Sequence, residues 1–350
     1  MPTDIHELME AFWAGEKPGR VPYTVYEWMF RPHVDDPVYR QMVADGLGAT
    51  HSVATAVERR GADVEAFETT WDVDGRSWRR WTLRTPVGEV CREAEDGWTR
   101  KYWLTSAKDY RVMRYVVEAA EIVPAYDDFA RRQNDTGPEA IVHPTTGARS
   151  PIQTILVDYC GLENFALHLY ELADEVQALY EALRAKFRRR VEIVAGGPGR
   201  YVSVLENFTA ETMGPRRYEQ FHLPVYRECF PMLHQAGKIV GVHYDGRLSS
   251  CREAIAGAPV DLIESLTPPP EGDMPLAAAR AAWPAKLFWS NVNLQTYDLP
   301  AEAIRQRILA SVADAAADGR RLAFEVSEDL PANWRTAMPV ILSALREAAG

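Results

Sequence analysis

The chain has 350 residues, 47% of them apolar and 25% charged, with no long biased tract; that excludes a disordered protein and leaves room for one large α/β barrel with insertions. Its formal net charge of −11 argues against general affinity for nucleic acid or an anionic membrane. The start, MPTDIHELMEAFWAGEKPGRVP, lacks the basic-then-apolar pattern of a signal peptide, no run reaches membrane-spanning length, and Cys91, Cys160, Cys229 and Cys251 are dispersed without a CxxC pair, so a reduced, cytoplasmic setting is expected.

In chain order, VPYTVYEW (21–28) reads as the first strand. Arg20 precedes it, at the end of a barrel that usually serves stability, whereas Glu27 and Arg31 follow it. An arginine there suits a carboxylate or phosphate on a substrate, and a plain surface ion pair is the alternative. GATHSVAT (48–55) is the second strand. Residues 60–105 then form an insertion of alternating bulky and polar residues around DG and PVG turns, the pattern of β-hairpins. It holds Trp71, Trp78, Trp81, Trp98 and Trp103, either a hydrophobic cluster binding a meander together or an aromatic wall over a barrel mouth. EAIVHPTT (139–146) is a third strand, and AGGPG (195–199), which follows a helix, reads as a helix stop.

From residue 200 the rhythm becomes regular. The runs YVSVLENF (201–208), KIVGVHYD (238–245), DLIESLT (261–267), KLFWSNVNL (286–294) and RLAFEVS (321–327) alternate with amphipathic segments, the pattern of parallel βαβ units. Gly237, Gly257 and Gly319 fall where helix C-terminal caps belong. Three strands plus five close a (β/α)8 TIM-type barrel with a Trp-rich β-hairpin insertion after the second strand. An open doubly wound sheet is the alternative, but no GxGxxG follows an early strand. Residues 1–350 are read as a single barrel domain carrying the 60–105 insertion.

Functional groups of such a barrel gather at the carboxyl ends of the strands. Those ends carry Glu206 and Asn207, then His243 and Asp245, then Glu264, then Asn291 and Asn293, then Glu325, Ser327 and Glu328. Residues two apart on a strand share a face, so His243 and Asp245 point into one place. One imidazole among carboxylates can bind a divalent metal or set an acid against a base. Asp245-Gly246 can also be only a turn, and Glu206 only a capping or ion-pair residue. Cys251 is read as a buried structural thiol, and His168, His222 and His234 as surface or interhelix residues of amphipathic segments.

GEKPGRVPYTVYE, TPVGEV with YWLTSAKDYRVMRYVVE, RRYEQFHLPVYRECFPMLHQAGKIVGVHYDG and LPAEAIRQRI together resemble the uroporphyrinogen decarboxylase superfamily, in order and over nearly the whole chain. The resemblance implies a (β/α)8 barrel and one of two activities, cofactor-free decarboxylation or methyl transfer linked to a corrinoid protein through a zinc held by His-x-Cys and a later Cys. The stretch RVPYTVYEWMFRPH lacks the arginine cluster of the decarboxylase branch. His243 matches the zinc histidine, Asp245 stands where the first cysteine would be, and FEVSEDLP covers the region of the second. The leading expectation is a methyltransferase near the corrinoid-linked branch, with His243, Asp245 and Glu325 holding a divalent metal, zinc first among the candidates, Glu206, Asp245 and Glu325 catalytic, and Glu27, Arg31, Asn207, Asn291 and Asn293 binding a small substrate. A corrinoid would arrive on a partner protein, and a homodimer is expected. A metal-free decarboxylase or lyase acting on a carboxylated substrate is the alternative, and a non-catalytic binding barrel the third.

Overall fold

A computed structural model describes residues 4–326 and 329–348. Ser327 and Glu328 lie outside the described residues.

Eight short runs of β-branched, aromatic and small residues form a closed parallel barrel. They are β1 (Tyr23–Tyr26), β2 (Gly48–Ala54), β3 (Ala140–Thr145), β4 (Tyr201–Val204), β5 (Ile239–His243), β6 (Leu262–Leu266), β7 (Leu287–Val292) and β8 (Leu322–Val326). Each strand pairs with its sequence neighbours, and β1 pairs with β8 through Tyr23 opposite Phe324. The last five strands are buried on both faces, Ile239 only partly, because helices cover them outside and side chains fill the barrel inside. The expected barrel is therefore present. Gly237 and Gly319 end their helices in the left-handed conformation, and the helix Ala173–Gly196 stops at Gly197, as the glycine pattern predicts.

Helix α1 (Ile5–Trp13) seals the lower end of the barrel. Ile5, Leu8, Met9, Phe12 and Trp13 lie on one face at helical spacing and form a second core with Ile141, Tyr201, Leu262, Trp289 and Ala323. Trp13 stacks on Tyr201 with centroids 5.4 Å apart, and Phe12 meets Trp289 edge-on at 6.3 Å. Gly241 on β5 leaves room for this layer: a Cβ there would come within 2.4 Å of the Tyr201 hydroxyl.

The insertion is larger than the 60–105 expected. Ala56–Arg59 pairs antiparallel with Glu121–Pro124, and these two strands bracket a four-stranded meander, Glu65–Val73, Arg76–Thr85, Gly88–Glu95 and Trp98–Lys101, and the helix Ala107–Ala119.

Candidate functional site

Barrel closure brings His143 (β3), Ser203 (β4), His243 (β5), Glu264 (β6), Asn291 (β7) and Glu325 (β8) to the inside, all buried. The arrangement depends on an irregularity in β6. Register slips between Glu264 and Leu266, and Ser265 adopts φ +59°, a left-handed conformation uncommon outside glycine. The bulge turns two consecutive residues inward. Glu264 accepts hydrogen bonds from Tyr201 Oη (2.9 Å) and Ser203 Oγ (2.7 Å), while Ser265 donates to Glu325 from its N–H (3.1 Å) and its hydroxyl (3.2 Å). Asn291 binds Thr267 Oγ1 at 2.9 Å and the Ser265 carbonyl at 3.4 Å, which braces the bulge.

His243 stands between two carboxylates. Its Nε2 is 3.7 Å from Asp245 Oδ2 and its Nδ1 is 3.8 Å from Glu264 Oε1, ion-pair distances longer than a hydrogen bond. Burial alone would lower the imidazole pKa, but Asp245 and Glu264 outweigh it and raise it to about 10. His243 is thus an imidazolium at neutral pH. Glu264 is buried, which alone would raise its pKa, yet His243, His143 and Ser203 hold it low and ionised. Glu325 goes the other way: burial, then the neighbouring Glu264 charge, push it well above the usual carboxylate range, so it keeps its proton. Two carboxyls in one chamber are driven apart in acidity, the arrangement that separates an acid from a base.

Asp245 lies just past the end of β5 and accepts from Asn207 Nδ2 at 3.1 Å. Asn207 has φ +48°, and its other amide atom takes a 2.7 Å bond from Arg149. His243 and Asp245 therefore meet, as their spacing predicts, and Asn207, expected to bind substrate, is bonded to Asp245.

Above this chamber opens a cavity of about 250 Å³ lined by Tyr26, Glu27, Arg31, His51, Arg132, His143 and Glu264, among others. Glu27 and Arg31 face it as expected, but they are also bound to each other at 3.0 and 3.1 Å, and His51 Nε2 lies 3.3 Å from Glu27. Arg132, from the helix Tyr126–Asp135, makes no ion pair among the described residues. His143 is buried and kept neutral by that burial, and its Nδ1 has no hydrogen-bond partner. None of the five insertion tryptophans lines this cavity, so the aromatic-wall reading fails; Trp103 packs on the main core and Trp98 is 75% exposed.

Three expected site residues serve elsewhere. Glu206 is two residues beyond β4 and turned outward, fully buried, where it accepts from the Ser150 N–H (3.1 Å), Ser150 Oγ (2.9 Å) and Tyr226 Oη (2.6 Å). Tyr226 in turn meets His222 and Tyr244, whose side chain leaves β5 on the face opposite His243. Position at the strand end alone puts Glu206 in the site; alternation from Tyr201 and Ser203, both inside the barrel, sends Val202, Val204 and then Glu206 outward. Of the two readings given for His222, surface or interhelix, the surface one is excluded: it is a wholly buried member of this network. Asn293 clamps the carbonyls of Pro268 and Pro269 at 3.0 and 2.8 Å, and Asn291 supports the bulge, so neither faces the mouth cavity.

The metal set does not fit. Among the described residues no three His, Cys, Asp or Glu side chains are grouped to hold a metal ion. His243 is engaged between Asp245 and Glu264, and Glu325 turns to Ser265, so the three expected ligands do not form one ion site. All four cysteines are free, and Cys251 is buried, as expected. Sequence reasoning missed Arg132, His51, His143 and Ser265. His143 was detectable, since it closes an apolar run one residue before a proline; Ser265 carries no local signal for a bulge.

No family model matches the chain, and no curated protein is similar to it in sequence. Among solved structures, a methyltransferase from Methanosarcina mazei is 10% identical over 69% of this chain, with a TM-score of 0.48. The chain spans 65% of that structure's length. A pneumococcal structure concerned with N-glycan recognition and hydrolysis is also 10% identical, covering 97% of this chain and 85% of its own, with a TM-score of 0.36. Likenesses this distant concern the course of the chain and carry nothing about activity. No helix among the described residues is long and apolar enough to cross a membrane.

Proposed function

We propose that the chain is an enzyme performing metal-free acid–base chemistry, decarboxylation or a related lyase reaction, on a small carboxylated substrate. The observation that carries this reading is the His243–Glu264 ion pair at the floor of a cavity whose rim holds the unpaired Arg132. Arg132, with Arg31 beside it, anchors a substrate carboxylate in a low-dielectric mouth. When a second carboxylate leaves as carbon dioxide, the bonding electron pair stays on the carbon, and a proton must reach it. His243 supplies that proton through Glu264, which lines the cavity while His243 stands behind it; solvent then reprotonates His243. An acid with a pKa of about 10 suits a basic carbanion better than it suits a weakly basic oxygen. Glu325, neutral on Ser265, adds no second negative charge to the chamber.

The test is a panel of small mono- and dicarboxylates offered to the purified chain, read as carbon dioxide release and as deuterium incorporation from heavy water. Turnover that falls roughly a hundredfold or more in His243→Gln is the expected result. No turnover of any carboxylate, together with about one divalent ion per chain that Asp245→Ala loses, would overturn this reading in favour of metal-dependent methyl transfer with a corrinoid partner.

A further inference from the structure

The meander of the insertion has a bare edge. Glu65–Val73 is its outermost strand, paired only with Arg76–Thr85, and eight of its nine residues are exposed. Long, exposed edge strands with apolar side chains template the addition of another strand. Phe67 and Val73 are 40% and 46% exposed, and Trp71 stacks on Trp78 on the same face, with Arg80 and Arg84 lying over Trp71 and Phe67.

The phase of the edge follows from its turn. Asp74 and Gly75 form a two-residue hairpin turn at φ +50° and +77°, closing on the Val73–Arg76 pair. Such a turn closes on a hydrogen-bonded pair, so Val73, Trp71, Thr69 and Phe67 spend their backbone groups inside the hairpin. Asp72, Thr70, Glu68 and Ala66 therefore aim theirs outward.

The sequence EAFETTWDV is self-complementary about Thr69. Laid antiparallel on a second copy with Thr69 opposite Thr69, Phe67 faces Trp71, Glu68 faces Thr70, Ala66 faces Asp72 and Glu65 faces Val73. Both aromatic pairs fall at non-hydrogen-bonded positions, where opposed side chains come closest, and no like charges oppose. Two of the strand's three acids are already neutralised within each copy, Glu68 by Arg79 at 3.4 Å and Glu65 by Arg84 at 3.8 Å, and the third, Asp72, faces Ala66. We infer that this chain forms a two-fold homodimer by joining its meanders edge to edge through Glu65–Val73, giving one continuous eight-stranded sheet. The two barrel mouths stay open, because none of these residues lines the mouth cavity.

Thr69→Cys in a Cys91→Ser background, which removes the partly exposed thiol on the same face, tests the register directly. Air oxidation is expected to give a disulfide-linked dimer at Thr69→Cys at least tenfold faster than at Glu65→Cys, which the register places far from its own copy. Sedimentation velocity of the unmodified chain is expected to show a dimer that Trp71→Lys weakens at least tenfold. A monomer at all concentrations, or a dimer in which Thr69→Cys does not cross-link preferentially, would overturn the inference.

Discussion

His243 draws its charge from its neighbours, not from exposure to water. Asp245 and Glu264 hold its pKa near 10, above the ordinary histidine value of 6.5, so its stabilising ion pairs are complete below about pH 6.5 and are lost as pH rises through about 10. Proton donation runs down over the same upper limb. Turnover of an accepted carboxylate is expected to fall above about pH 9–10, and a pH–rate profile on the wild type and Asp245→Asn, whose limb should move to lower pH, checks it. Glu206 shows the opposite economy. Burial raises its carboxyl from 4.5 to about 7 despite the bonds from Tyr226 and Ser150, so the fold binds its proton more tightly than the unfolded chain does. Stability on this account is full below about pH 4.5 and declines as pH rises through about 7. Glu206→Gln is therefore expected to be more stable than wild type by roughly 1–3 kcal/mol at pH 8.5 and equal to it at pH 4 in urea unfolding. At the cavity rim, Arg132→Ala is expected to weaken carboxylate binding about tenfold by calorimetry while leaving the melting temperature nearly unchanged, since its guanidinium makes no ion pair among the described residues.

At the scale of elements, the bulge in β6 is the device on which the chamber depends. A strand without it would send Ser265 outward and leave Glu325 without its two donors. Ser265→Val, which places a β-branched residue at φ +59° and removes the hydroxyl, is expected to cost about 2–4 kcal/mol in denaturant unfolding and to erase activity. This is also where the limits of the sequence lie. Late strands announce themselves through apolar runs ending in polar residues, which made β5 with His243 and Asp245 readable, and β8 with Glu325. Glu206 counts as a site residue only by its place at the end of β4, whereas the alternation that puts Tyr201 and Ser203 inside already sends it outward; only its partners Ser150 and Tyr226 needed the fold. Asn291 and Asn293 sit at the strand end that was expected, but their amides serve neighbouring carbonyls and hydroxyls that only the closed barrel brings near. Arg132 escaped because it belongs to a helix of the irregular first half, where no periodic signal ties it to the mouth.

The whole molecule is closed from below by α1, whose apolar face is spaced plainly enough in IHELMEAFW to be read, although its role as a plug depends on the barrel it fills. Phe12→Ala is expected to destabilise the chain by about 3–5 kcal/mol, measured by chemical denaturation, because Phe12 is fully buried against Trp289. The same plug sets a problem of timing. Its seat is made partly from Trp289 and Ala323, and the barrel shuts only when β8 reaches β1, where the Thr24 hydroxyl bonds the Phe324 carbonyl across 300 residues of chain. At roughly 5–20 residues per second, a ribosome needs about 15–60 s to make that stretch. Throughout that interval the greasy helix, made ahead of every barrel strand, waits without its seat, a stretch of nascent chain that calls for a chaperone's shelter.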